Sequence, residues 1–381
     1  MKVFTAQSTK STPKDAVREL KEIFNSQNSE AKNIKAITFF ASSNYEPSDL
    51  IAAMNESFPD ITVWGCTTCG EIISGCISAN SIVAMAFTSE VIEDIKIEVV
   101  TDISKNIDLL PAIESFEEYY KAPIAELDFT KFFGLIYIDG LSKKEEVLLD
   151  KLGNYTNIPF IGGSAGDDNK FIRTIIYANG KHYDNSAVLA LVKPKVKYGI
   201  EKIQSFTPTE HTVVVTKTDE ANRIINELNN EPALDVYANL LNIKAESLID
   251  GSNFEKYVFG LIASNGTPFI RSPFRVVDDG KSLELFCSVK KNTELRIMES
   301  ADIIVDTKNS LEKIQKKYRK IFAMLCFDCM GRHWTLHNNN QLDEYSKLFS
   351  DTRIPIVGFK TCGEAFIAHI NHTAVFLVFY D

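Results

Sequence analysis

This 381-residue sequence predicts an α/β protein of two domains, whose mixed sheets are built from a repeated strand–helix–strand–Gly loop–strand unit. Three observations predict it. At roughly 150 residues per domain the length suggests two or three domains. A hydrophobic share of 45% and a charged share of 24% are ordinary for a chain that buries a core, which sets disorder aside. Above all, three segments end alike: Ile61 to Glu71, Ile158 to Asp167 and Ile354 to Glu364 each run from a short apolar strand through a glycine-punctuated loop to a carboxylate.

The flanks of the three segments match as well. Apolar strands precede them at Ile34 to Phe40, Phe132 to Ile138 and Ile321 to Phe327. Amphipathic stretches lie between, at Pro47 to Phe58, Lys143 to Leu152 and Leu342 to Phe349, and further strands follow at Ser81 to Phe87, Ser186 to Val192 and Thr373 to Tyr380. Irregular spacing between the copies excludes a solenoid. A strand–helix–strand unit favours parallel pairing, and a third strand joined by a loop can run antiparallel, so the sheets are expected to be mixed.

Residues 199–320 read differently. Thr212 to Val215, Val258 to Ile262 and the alternating Ser282 to Ser288 are expected as strands. Asp219 to Leu228, Asp235 to Leu241 and Ser310 to Ile321 are expected as helices, with Pro232 a good start signal for the second. Lys193-Pro194-Lys195 marks the expected boundary, giving domains 1–198 and 199–381.

A net charge of −10 disfavours phosphate backbones and anionic lipid, so neither nucleic acid nor membrane is an expected partner. Met1 to Leu20 has no apolar core of secretory length, and the longest apolar run, Ala374 to Tyr380, is too short to span a bilayer. Seven cysteines without an export signal point to reduced thiols in the cytoplasm.

Gly65 to Glu71 and Gly358 to Glu364 share Thr-Cys-Gly-Glu. A glycine loop at a strand end lets backbone N–H groups converge on an anion, and the carboxylate that follows could hold an ammonium group; the competing reading is a tight turn whose Glu caps backbone. The glycine spacing is neither that of a dinucleotide fold nor that of a P-loop. Gly162-Gly163-Ser164-Ala165-Gly166-Asp167-Asp168 reads as a turn whose Asp residues bond their own backbone, beside a pocket. Cys326, Cys329, His333 and His337 have zinc-like spacing. However, 326 and 329 face opposite sides of a strand, and Asn338-Asn339-Asn340 argues for a loop around the histidines, so no metal is expected. No nucleophile elbow occurs and nothing orders a Cys–His pair, which leaves enzyme activity unsupported.

Together these motifs resemble the FIST family of bacterial sensory proteins. The N-terminal part is similar to a FIST N domain through Gly65 to Glu71 and Gly162 to Asp168. The C-terminal part is similar to a FIST C domain through Pro232 to Tyr237, Phe269-Ile270-Arg271, Gly331-Arg332, Gly358 to Glu364 and Asn371-His372-Thr373. The resemblance implies an intracellular module that senses a small ligand such as an amino acid, without catalysis. Its partner would be a histidine kinase, a chemotaxis protein or a cyclic-di-nucleotide protein, engaged in trans. It implies Thr68, Gly70, Glu71, Gly163, Asp167, Arg271, Arg332, Gly363 and Glu364 as ligand-binding residues and no cofactor. A second implied reading is a haem-binding nitric oxide sensor paired with a histidine kinase. Cys69 and Cys362 depart from the family's usual non-thiol residues, and Lys360, also a departure, favours a ligand with a negative end.

Overall fold

The computed structural model describes residues 2–27, 33–249 and 254–381. Three six-stranded mixed sheets and one larger antiparallel sheet carry the chain. In the first sheet, Val3–Ser8 is the edge strand and Ile34–Ala41 pairs in parallel with Thr62–Thr67. Ile82–Thr88 lies antiparallel between Val3–Ser8 and Ile34–Ala41. The second sheet follows the same path with Ile92–Val100, Phe133–Asp139, Phe160–Ala165 and Ala187–Pro194. The third does so with Lys197–Gln204, Ile321–Cys329, Ile356–Thr361 and Thr373–Tyr380.

Each four-strand set is completed by a hairpin from another. The hairpin Glu71–Ile73/Cys76–Ser78 adds to the third sheet, Ile176–Ala178/Lys181–Tyr183 to the first, and Glu364–Phe366/Ala368–Ile370 to the second. The exchange is cyclic, so no sheet is completed by its own stretch of chain. Inner faces of all three sheets share one core, in which Phe40, Tyr137 and Phe327, from corresponding positions of the central strands, meet at ring separations of 5.3, 6.3 and 6.0 Å. Helices cover the outer faces; with both faces buried, the central strands read as continuous apolar runs.

Gly65, Gly162 and Gly358 stand where each parallel pair is tightest. A Cβ there would lie 2.0, 1.9 and 1.8 Å from the carbonyl oxygens of Phe39, Ile136 and Cys326.

The fourth sheet, residues 206–300, is inserted between the edge strand and the first helix of the third set. Here one expectation fails. Asp219 ends the strand Phe206–Asp219, and a turn leads into the strand Ile224–Leu228, so no helix forms over Asp219 to Leu228. Asn222 folds back onto the Asp219 carboxylate, Arg223 is left-handed (φ 61°), and Asn229 and Asn230 (φ 53° and 67°) form a hairpin turn to Glu231–Pro232. The helix expected from Asp235 runs Ala233–Leu241 behind Pro232. The helix expected at Ser310 to Ile321 runs Ile303–Lys317, capped by Asp302 onto the amides of Ile304 and Val305. No helix among the described residues is long and apolar enough to cross a membrane.

Candidate functional site

The two Thr-Cys-Gly-Glu loops close on themselves. Thr68 donates its hydroxyl to Glu71 Oε1 (2.6 Å) and accepts from the Gly70 amide (3.0 Å), while Ser81 donates its hydroxyl and amide to Glu71 Oε2 (2.7 and 3.2 Å). Thr361 and Thr373 hydroxyls hold Glu364 in the same way, with the Thr373 amide at 3.2 Å. Both glutamates are fully buried, and burial lifts their carboxyls to about 7 and about 8, against the pull of these donors. Each Glu therefore ties the hairpin's start to the strand that follows it.

The three loops also interlock by backbone. The amide of Cys69 donates to the Lys360 carbonyl, that of Gly166 to Thr67 and that of Cys362 to Ser164, at 3.0, 3.0 and 3.1 Å. Positions 69, 166 and 362 correspond, as do 360, 67 and 164, so the bonds form a cycle.

The remaining implied residues are distributed around this junction. Gly163 pairs with Glu364, and a Cβ on Gly363 would lie 2.3 Å from His369 Cε1. Asp167 accepts from the amides of Phe171, Ile172 and Arg173 (2.8, 2.5 and 2.9 Å) and lines a cavity of about 260 Å³ with Tyr45, Lys170 and Arg173. Arg271 donates to the carbonyls of Ile270 and His369 (3.0 and 3.1 Å). Arg332 lies fully buried in a different network, donating to Asp328 (3.0 Å), Thr307 (2.9 Å), Tyr345 and Ser205. The nine residues thus do not share one cavity.

A cavity of about 340 Å³ opens beside the first loop, walled by residues of all three sets: Cys69, Ser78, Asn169, Met330, His333, Trp334 and Lys360 among them. Lys360 leans against Gly70, its Nζ 2.5 Å from where a Cβ on that glycine would stand. His333 comes from the helix Met330–Asn338, which corrects the expectation of a loop there: the Asn run ends the helix, with Asn339 as its cap and Asn340 left-handed (φ 55°). The zinc-like set does not gather, since His333 turns Nε2 to Asp328 Oδ2 (3.0 Å).

That bond decides the histidine's chemistry. Burial pulls the His333 ring below its usual range despite Asp328, so the neutral form prevails. With Nε2–H given to the carboxylate, Nδ1 is a bare acceptor, buried and unpartnered. For Asp328, burial pushes upward, but His333 and Arg332 outweigh it and hold the carboxyl below its usual range. No sequence pattern marked His333 as a cavity residue; the Asp328-x3-Arg332-His333 spacing at a strand-to-helix junction was the available signal.

Two other places compare poorly. A groove of about 420 Å³ near Leu149, Phe160 and Ile367 has no charged lining. Glu146, Cys287 and His369 bring ligand atoms within 4.8 Å of one another, but Arg223 already pairs with Glu145 and Glu146 (2.5 and 2.7 Å) and its charge opposes a cation there.

Interlocked mixed sheets surrounding a small polar-and-apolar cavity define the class of the molecule as α/β. The chain belongs to the FIST family: residues 35–231 match the FIST N domain and residues 233–367 the FIST C domain. FIST domains are sensory domains of signal transduction. The chain is also 30% identical over 122 residues to an uncharacterized protein of Methanocaldococcus jannaschii, covering 32% of this chain and 23% of that one. The matched stretch thus spans about a quarter of that relative's length.

Proposed function

We propose that this protein senses a small zwitterion or anion of amino-acid size in the cavity beside Cys69, without turning it over. Its signal passes in trans to a histidine kinase, chemotaxis or cyclic-di-nucleotide protein in the cytoplasm. The observation that carries this reading is the cavity lining that the Lys360 ammonium shares with the neutral imidazole of His333. Lysine suits a carboxylate, and a neutral imidazole in the same lining suits a polar, uncharged contact. Trp334, Met330 and Leu342 offer an apolar wall for a side chain. A volume of about 340 Å³ is at the low end of ligand pockets, about 300–1,000 Å³, and fits an amino acid better than a porphyrin. Because all three sets contribute walls, occupancy favours one arrangement of the loops, which is how a ligand shifts the surface offered to a partner.

Thermal melting of the purified protein against the common amino acids, related carboxylates and haem tests this. A ligand at 100 times its dissociation constant adds about 2.7 kcal/mol and raises the midpoint by a few degrees. Lys360→Ala and His333→Phe are expected to abolish the shift, while Asp167→Asn leaves it in place. A Soret band with haem and no shift with any amino acid would replace this reading by the haem-based one. No shift with any compound would remove both.

A further inference from the structure

We propose that Cys69, Cys362 and Met330 form a binding site for a soft monovalent metal ion, Cu(I). Cys69 Sγ lies 3.5 Å from Cys362 Sγ and 3.9 Å from Met330 Sδ. The three sulfurs come from three elements: the loop after Thr62–Thr67, the corresponding loop after Ile356–Thr361, and the first residue of the helix Met330–Asn338. They meet because of the loop cycle. Positions 69, 166 and 362 converge, and the third of them is Gly166, whose missing side chain leaves the space that Cys69 Sγ fills, 2.2 Å from where its Cβ would stand.

Geometry and ligand type both select the ion. Metal–sulfur bonds of about 2.3 Å in a trigonal arrangement place sulfurs roughly 4 Å apart. The two separations from Cys69 Sγ, 3.5 and 3.9 Å, lie within about half an ångström of that. Two thiols and a thioether are soft donors unlike the oxygens that calcium and magnesium take, and the thioether, which is not a usual zinc ligand, favours Cu(I) over zinc. Glu71 and Glu364 are occupied by their own loops, and Glu145, the carboxylate that acts on Cys362, is held by Ser164 and Arg223, so none is free to add a hard oxygen. Both cysteines are free thiols. An entry path exists, since Cys69 and Met330 line the 340 Å³ cavity.

Binding forms two copper–thiolate bonds and one copper–thioether bond and releases the two thiol protons to solvent; copper and sulfur keep their oxidation states. The resulting site carries one negative charge, which Lys360 on the same cavity wall offsets. The ion would clasp the first loop to the third, so copper and a small ligand would act on the same junction. The copper site does not depend on the small-ligand reading.

The test is anaerobic titration of the reduced, full-length protein with Cu(I) against the chromogenic chelator bathocuproine disulfonate. One Cu(I) per chain is expected, with only sulfur neighbours in copper X-ray absorption. Cys69→Ser and Cys362→Ser are each expected to weaken binding by about a hundredfold and the volume-conserving Met330→Leu by about tenfold. Cys69→Ala and Cys362→Ala, checked for native melting, guard against loss by misfolding. Lys360→Ala separates the two proposals: it abolishes the amino-acid shift but leaves one sulfur-bound Cu(I). Copper retained at full affinity in the Cys69→Ala, Cys362→Ala double variant overturns the site. So does failure to compete with the chelator, or tighter binding of zinc(II) than of Cu(I).

Discussion

Removing the Glu364 carboxylate leaves the Thr361 and Thr373 hydroxyls and the Thr373 amide buried with nothing to bond. An unsatisfied buried group costs about 1–3 kcal/mol, so Glu364→Ala is expected to destabilise by about 3 kcal/mol or more in urea unfolding, and Glu364→Gln by clearly less. The pH dependence has a definite sign. Burial raises Glu71 to about 7 and Glu364 to about 8, both from 4.5, so the folded state holds these protons more tightly than the unfolded state. Their contribution is full below pH 4.5 and is lost as pH rises through about 7 and about 8. Asp328, held below its ordinary 3.8, acts in the opposite sense and only in acid. The urea midpoint is therefore expected to fall between about pH 4.5 and 8, with the upper part of the fall absent in Glu364→Gln; a midpoint that rises over that window contradicts the assignment. The sequence showed the glutamates and their threonines, spaced three apart. It did not show Ser81 and Thr373, because those donors lie ten and nine residues on, across a hairpin that pairs with another sheet.

At the level of strands and helices, one contact fixes each parallel pair. Gly358 brings Ile356–Thr361 against Ile321–Cys329 so closely that an added methyl would stand 1.8 Å from the Cys326 carbonyl oxygen. Backbone on both sides leaves no flexible tip to move aside. Gly358→Ala is expected to cost about 3 kcal/mol or more, at the upper end of overpacking, whereas Gly153→Ala, with nothing within 4 Å, is expected to be near neutral. A comparison of the two by denaturant midpoint checks this, and equal effects would contradict it. The glycines were legible as loop punctuation; their partner strand was not, since Cys326 precedes Gly358 by a whole helical crossover. Propensity also misled where short polar side chains turn the chain. The segment from Asp219 to Leu228 carries a helix-like apolar spacing, yet left-handed Arg223, Asn229 and Asn230 make it an arm of a hairpin. The Asn338 to Asn340 run, taken to exclude a helix, instead ends one.

Across the whole molecule, the cyclic loan of hairpins makes the sets interdependent. Ile356 exchanges hydrogen bonds with Ser74, a residue 282 positions earlier, and the rest of that hairpin completes a sheet whose other strands all follow residue 196. Local patterning can reveal three similar loops, but not which sheet each hairpin joins, because all three offer the same edge. If no sheet is complete without another set, unfolding one set exposes the core of its neighbours, and the three must unfold together. The two tryptophans report on different sets: Trp64 is buried in the first, and Trp334 lies on the helix of the third. Single-tryptophan variants, Trp334→Phe and Trp64→Phe, are expected to give coincident urea midpoints by fluorescence, matching far-ultraviolet circular dichroism. A substitution in the lent hairpin, Ile72→Ala, a first-set residue buried in the core of the third set, is expected to lower both midpoints equally, with a loss of about 2–5 kcal/mol in stability. Separate transitions at the two tryptophans, with Ile72→Ala moving only one of them, would mean that the hairpins are lent without binding the sets into one cooperative structure.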